Sequence, residues 1–105
     1  GVWAQIRLEE TGGGLRAAGD PVHLSCRGYG FNFGTYFVLW YRQAPEGQFE
    51  WLSFINPAST QKEYAAAVEG RAIVSRDNSR SEAYLSLSAL QPQDSARYFC
   101  TVLHT

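Results

Sequence analysis

The sequence is poor in the residues that build reactive centres. It holds two cysteines and two histidines in 105 residues, and His23 and His104 are isolated, so no metal-ligand spacing occurs. Long apolar runs are missing too. None approaches the roughly 20 residues a membrane-spanning helix needs, so no membrane partner is expected. Charge of one sign is not in excess: nine basic residues against ten acidic ones leave a net −1. The basic residues form no run, which argues against a phosphate-tracking surface and hence against a nucleic-acid partner.

Catalytic patterns are equally scarce. Serines are plentiful, yet none sits in a nucleophile elbow, and no His-acid pair is placed by motif to activate one. Gly12-Gly13-Gly14 invites a phosphate-loop reading, but no strand-turn-helix with a lysine follows it. The triplet is better suited to letting a strand bend or change sheets. Asparagine glycosylation is not expected, since Asn56 precedes proline and neither Asn32 nor Asn78 has Ser or Thr two residues on. No enzyme activity, cofactor or metal follows from these residues.

What is present is alternation. The length fits one domain, and no linker or composition shift divides it. Ile6 and Leu8 alternate with polar neighbours as in a half-buried strand. After the turn residues Gly19-Asp20-Pro21, Val22, Leu24 and Cys26 share one face of a second strand and His23 takes the solvent side. Arg27 to Gly34 reads as a loop, with Phe31 and Phe33 tucked against the end of the fold. Thr35 to Gln43 is a β-branched and aromatic run suited to a strand. Ala44-Pro45-Glu46-Gly47 turns the chain into a returning strand, Gln48 to Ile55, and Asn56 to Thr60 forms a second loop at the same end as the first. Glu63 to Glu69 has helical propensity but is too short to stand alone. Ala72 to Ser75 and Ala83 to Leu87 read as strands joined by polar Arg76 to Ser81. A crossing turn, Ala89 to Asp94, leads into Ala96 to Val102, with Ala96, Tyr98 and Cys100 inward.

Cys26, Trp40 and Tyr98-Phe99-Cys100 form one constellation. Trp40-Tyr41-Arg42-Gln43-Ala44-Pro45, Glu50-Trp51, Ser75-Arg76-Asp77-Asn78-Ser79 and Asp94-Ser95-Ala96-Arg97-Tyr98-Phe99-Cys100 follow with it in order. In these residues the chain, from Gln5 to Val102, resembles an immunoglobulin variable domain of the heavy-chain type, paired or single-domain. The resemblance implies an all-β, V-type β-sandwich: two antiparallel sheets with Greek-key connections and one inter-sheet disulfide, Cys26 to Cys100. Two reduced, buried thiols are the alternative for these cysteines. A structural bridge implies a secreted, extracellular protein. The resemblance also gives Trp40 and Tyr98 structural roles and pairs Arg71 with Asp94 at the lower end of the sandwich.

With catalysis set aside, recognition remains. Tyr36, Phe37, Phe54, Asn56, Ser59, Gln61 and Leu103 are the antigen-contact candidates, since aromatic and amide side chains in loops combine rigid area with adaptable hydrogen bonding. For Phe31, Phe33 and Val38, core packing that shapes the loops is the preferred role. Tyr41, Gln43, Gln48, Phe49 and Trp51 stand where the resembled family meets a light-chain-type variable domain. Tyr41 and Gln48 lean towards a solitary domain, whereas Phe49 and Trp51 keep an apolar patch, so a protein antigen, a light-chain-type partner and self-association all stand as partners.

Residues 1–4 are expected to be a leader remnant or an expression scar and residues 5–105 the variable-type domain. A final strand, opened by an aromatic-Gly-x-Gly motif, is absent from the sequence. Three explanations are open: the printed sequence is partial, the protein is truncated, or it is a natural fragment. A fragment with exposed edges could form a cross-β assembly through Tyr36 to Trp40, Trp51 to Ile55 or Ala83 to Leu87. A receptor or adhesion module of the same V-type fold is the other alternative to antigen binding.

Overall fold

A computed structural model describes residues 6–12 and 20–104. The expectations for residues 1–4 and for Gly13, Gly14 and Gly19 lie outside the described residues. Eight strands follow in order: β1 (Arg7–Gly12), β2 (Val22–Tyr29), β3 (Tyr36–Gln43), β4 (Phe49–Ile55), β5 (Lys62–Tyr64), β6 (Ala72–Asp77), β7 (Glu82–Leu87) and β8 (Arg97–His104). They form two four-stranded sheets, β1-β2-β7-β6 and β5-β4-β3-β8, with every pairing antiparallel. No α-helix occurs among the described residues; Glu63 to Glu69 continues from β5 into turns, with Val68 buried.

The period of two places the core. Val22, Leu24 and Cys26 of β2, Val38 and Trp40 of β3, Ala72 and Val74 of β6, and Ala83, Leu85 and Leu87 of β7 are buried between the sheets. Each large side chain buried there contributes about 1.5–3 kcal/mol. The disulfide Cys26–Cys100 crosses this core, joining β2 to β8, and Trp40 lies opposite Cys100 in the β3–β8 register. In β4 the alternation breaks. A bulge opposite Trp40 and Tyr41 turns both Leu52 and Ser53 inward, and the Ser53 hydroxyl meets the demand of burial by donating to Glu63 O at 2.8 Å.

Several boundaries differ from the sequence expectation. Ile6 precedes β1 and is 51% exposed, so only Leu8 of that pair packs on the core; an edge strand paired on one side alone offers little to bury against. β2 continues through Arg27 to Tyr29, because Gly28 lets the chain run beneath two rings: a Cβ there would lie 2.8 Å from both Phe31 and Phe33. β6 extends to Asp77, and a 3-10 turn at Asn78–Arg80 completes the connection to β7. Leu103, expected to open a loop, is still strand, paired with Phe37. β1 also reaches the bridge. Glu10 Oε2 lies 3.5 Å from Cys100 Sγ, a packing contact, since a bridged sulfur carries no proton to donate.

Candidate recognition site

Strand order and direction bring one set of loops together. The β2–β3 connection, residues 30–35 (loop 1), the β4–β5 connection, residues 56–61 (loop 2), and the last residues of β8 emerge at the same end of the sandwich. Their anchor is an arginine. Arg76 follows Ala72 and Val74 on the inward parity of β6, so its side chain enters the fold rather than solvent. There Nη2 donates to Phe33 O at 2.9 Å and Nη1 to Ile55 O at 3.3 Å, tying loop 1 to the end of β4. The guanidinium lies 4.8 Å from the Phe33 ring centroid, and burial lowers its pKa from the usual arginine value. Nε donates to Asn78 Oδ1 at 2.7 Å, and Asn78 Nδ2 in turn reaches Pro57 O of loop 2 at 2.8 Å.

On that base stand the contact candidates. Tyr36 meets Phe31 edge-on at 4.9 Å and lies 4.8 Å from the His104 ring. Phe33 and Val38 are buried and Phe31 packs partly on the core, so these three shape the loops from within. Phe37 lies 5.8 Å from Phe54 across β3 and β4, and Leu103, 54% exposed, pairs with Phe37 from β8. Ser59 and Gln61 are exposed on loop 2. Asn56 is different in kind: Nδ2 donates to Thr60 Oγ1 at 2.8 Å and Oδ1 accepts from Gln61 N at 2.9 Å, so the side chain is committed to holding loop 2 in shape.

The second candidate set lies on the outer face of the β5-β4-β3-β8 sheet. Tyr41 sits between Trp51 of β4 and Phe99 of β8 in register and stacks on Phe99 at 5.9 Å. Phe49, 65% exposed, meets Phe99 edge-on at 5.6 Å. Gln43 pairs with Phe49, and its amide donates to Gly47 O of the β3–β4 turn, which Gln48 closes by accepting from Ala44 N at 2.9 Å. Phe99 was not singled out from the sequence. Its outward parity beside inward Cys100 was the available signal.

The opposite end is locked by charge. Arg42 follows Val38 and Trp40 on the inward parity of β3, and its buried side chain donates to Asp94 Oδ1 at 2.8 Å, Glu50 Oε1 at 2.6 Å and Tyr98 Oη at 3.1 Å. Arg71 Nη1 reaches Asp94 Oδ2 at 2.7 Å, and the backbone N–H of Gln91 reaches the same oxygen at 2.7 Å. The Tyr98 hydroxyl donates back to Asp94 O at 2.8 Å. Burial pushes the Asp94 carboxyl upward, but the hydrogen bonds from Arg71, Gln91 and Arg42 outweigh it and hold the pKa at about 2. For Arg42 burial alone would lower the pKa; its bonds to Tyr98, Glu50 and Asp94 reverse the direction and raise it. A cleft beside this network is lined by Arg42, Gln48, Phe49, Glu50 and Gln93, and its guanidinium is already engaged by protein groups.

A two-sheet sandwich with a buried tryptophan, an inter-sheet bridge and a tyrosine turned back on upstream backbone defines the immunoglobulin-like class. The family model described as the immunoglobulin V-set domain matches residues 15–105, and the chain belongs to that family. No helix among the described residues is long and apolar enough to cross a membrane.

Proposed function

We propose that this V-set domain is of the antibody heavy-chain type, is secreted, and binds a protein antigen without catalysis through loop 1, loop 2 and the end of β8. The observation that carries this reading is the anchoring of both loops on Arg76 and Asn78, whose side chains reach Phe33 O, Ile55 O and Pro57 O. Loops held by internal contacts present Tyr36, Phe37, Phe54, Ser59 and Gln61 with less ordering left to do on association. The test is a panel of purified extracellular proteins, with any partner titrated against variants. Tyr36→Ala or Gln61→Ala should weaken binding about tenfold or more, as truncation of a contact anchor does. Gln93→Ala, at the other end of the sandwich, should leave it unchanged, and the reverse pattern would refute the assignment.

A second reading is favoured by the exposed Phe49 and its ring contact with Phe99. An apolar patch of this kind suits a light-chain-type partner or a second copy meeting Tyr41, Gln43, Gln48, Phe49 and Trp51. A receptor or adhesion module would use the same face. Sedimentation equilibrium decides: concentration-dependent dimerisation abolished by Phe49→Arg supports pairing, and a monomer at all concentrations removes self-association.

A further inference from the structure

β1 brings a carboxylate to the disulfide. Glu10 stands opposite Cys26 in the β1–β2 register and so shares its inward parity, and its Oε2 crosses to the other sheet, 3.5 Å from Cys100 Sγ. The residue stays exposed at the edge of the sandwich. Cys26 is 0% and Cys100 6% exposed, so the half of the bridge that solvent reaches is the half beside the carboxylate. The residues that share this face carry no charge: Leu8 and Gly12 on β1, Leu24 and Gly28 on β2, Val102 on β8. Tyr98, the titratable neighbour on that face of β8, has its hydroxyl turned to Asp94 O. The cation that acts on Glu10 is Arg97, which opposes the upward push of burial on its pKa. Arg97 is three residues from Cys100 along β8, roughly 10 Å of strand, so the carboxylate is the closer charge to the sulfur.

We infer that Glu10 is an electrostatic gate on the Cys26–Cys100 bridge: its carboxylate repels thiolate reductants, most of all those with a further negative charge, and so sets which thiols reduce the folded domain. A thiolate that attacks Cys100 Sγ forms a new S–S bond there and expels Cys26 as a thiolate. A second thiolate then attacks the mixed disulfide and releases Cys100, leaving two cysteine thiols after proton uptake and one molecule of oxidised reductant. In the first step negative charge spreads over three sulfurs centred on Cys100. A carboxylate 3.5 Å away raises the energy of that arrangement more than that of the uncharged bridge. Protonation of Glu10 removes the repulsion, so discrimination among thiols fades in acid. The gate holds whatever the loops bind.

The test compares thiols of one length and different charge on the native domain: cysteamine, mercaptoethanol and mercaptoethanesulfonate. Reduction is followed by alkylation and mass spectrometry. Each rate is divided by the rate of the same thiol on hydroxyethyl disulfide, an uncharged reference that cancels intrinsic reactivity. At about pH 8 and about 0.05 M salt, cysteamine should exceed mercaptoethanesulfonate by about threefold or more, and the ratio should shrink at about 0.5 M salt. Glu10→Gln should accelerate mercaptoethanesulfonate most and bring the ratio close to one. Reduction through global unfolding has no such selectivity, because Glu10 and Cys100 are 90 residues apart in the chain. On that route Glu10→Gln, which removes a partly buried charge and stabilises the fold at neutral pH, slows all three thiols alike. A ratio near one in the wild type would overturn the gate, as would a change in Glu10→Gln, faster or slower, shared equally by the three thiols.

Discussion

Arg42 Nη1 lies 2.8 Å from Asp94 Oδ1, with 5% and 3% of the two side chains exposed. Arg71 Nη1 reaches the other carboxylate oxygen of Asp94 at 2.7 Å, so one buried acid bridges two guanidinium groups, and Glu50 gives Arg42 a second carboxylate at 2.6 Å. Removing the acid leaves Arg71 without its carboxylate partner and leaves Arg42 with the half-exposed Glu50 as its remaining one. Asp94→Ala should therefore cost about 3–5 kcal/mol of unfolding free energy, read by urea denaturation, as expected when one member of a buried ionic network is deleted. A loss below about 1 kcal/mol would show that water enters and solvates the arginines.

Acid should act through the same carboxylate. A depressed folded pKa means that Asp94 contributes stability above its unfolded pKa of 3.8 and that this contribution is lost as pH falls through about 2. The amount is about 2 kcal/mol, absent in Asp94→Asn, and the difference between wild type and variant should narrow below about pH 4. Glu10 has the opposite sign: burial raises its pKa, with Arg97 partly opposing. Its contribution is present at low pH and is lost as pH rises through the folded pKa, so Glu10→Gln should raise the neutral-pH melting temperature and make little difference in acid.

The bridge closes a sequence separation of 74 residues. In the chain-entropy account, a loop of that size is worth about 4 kcal/mol. Reduction, or Cys26→Ala with Cys100→Ala, should lower the denaturation midpoint accordingly. A midpoint unchanged by reduction would mean that the packing of Trp40, Leu85 and their neighbours alone sustains the sandwich.

Arg76→Lys keeps a positive charge but cannot reproduce the fork that reaches Phe33 O, Ile55 O and Asn78 Oδ1 together. The expected result is faster amide hydrogen exchange in loop 1 and loop 2, by a larger factor than the increase in β2 and β7 that the loss of global stability brings. The stability loss should be on the order of 1–2 kcal/mol, since burial of the ammonium is then less well compensated. Uniform acceleration across the domain would point to general destabilisation instead.

Much of this molecule is legible because strands write their faces locally. The alternation in Val22-His23-Leu24-Ser25-Cys26 assigns inside and outside without knowledge of any other strand, and the burial of Val22, Leu24 and Cys26 follows it. The same parity carried information that went unused. Arg42 and Arg76 each stand two residues beyond a buried hydrophobic residue, Trp40 and Val74, which places a charge in the interior and demands partners for it. Resemblance supplied one such pair, Arg71 with Asp94, and missed Arg42 as its centre.

By itself, then, the sequence determined the strands, the turns between most of them and the two cysteines whose spacing suits a sandwich, because those depend on neighbours one or two residues away. Only the tertiary structure decided which carbonyls Arg76 holds, 21 and 43 residues distant, and that Arg42 finds Asp94 at a separation of 52. It also decided the bulge that turns Leu52 and Ser53 inward together, and the meeting of Trp51 with Phe54 that joins sheet face to loops. The physical reason is common to all of these. Alternation specifies which way a side chain points, while its partner is set by the register of strands brought together from distant parts of the chain.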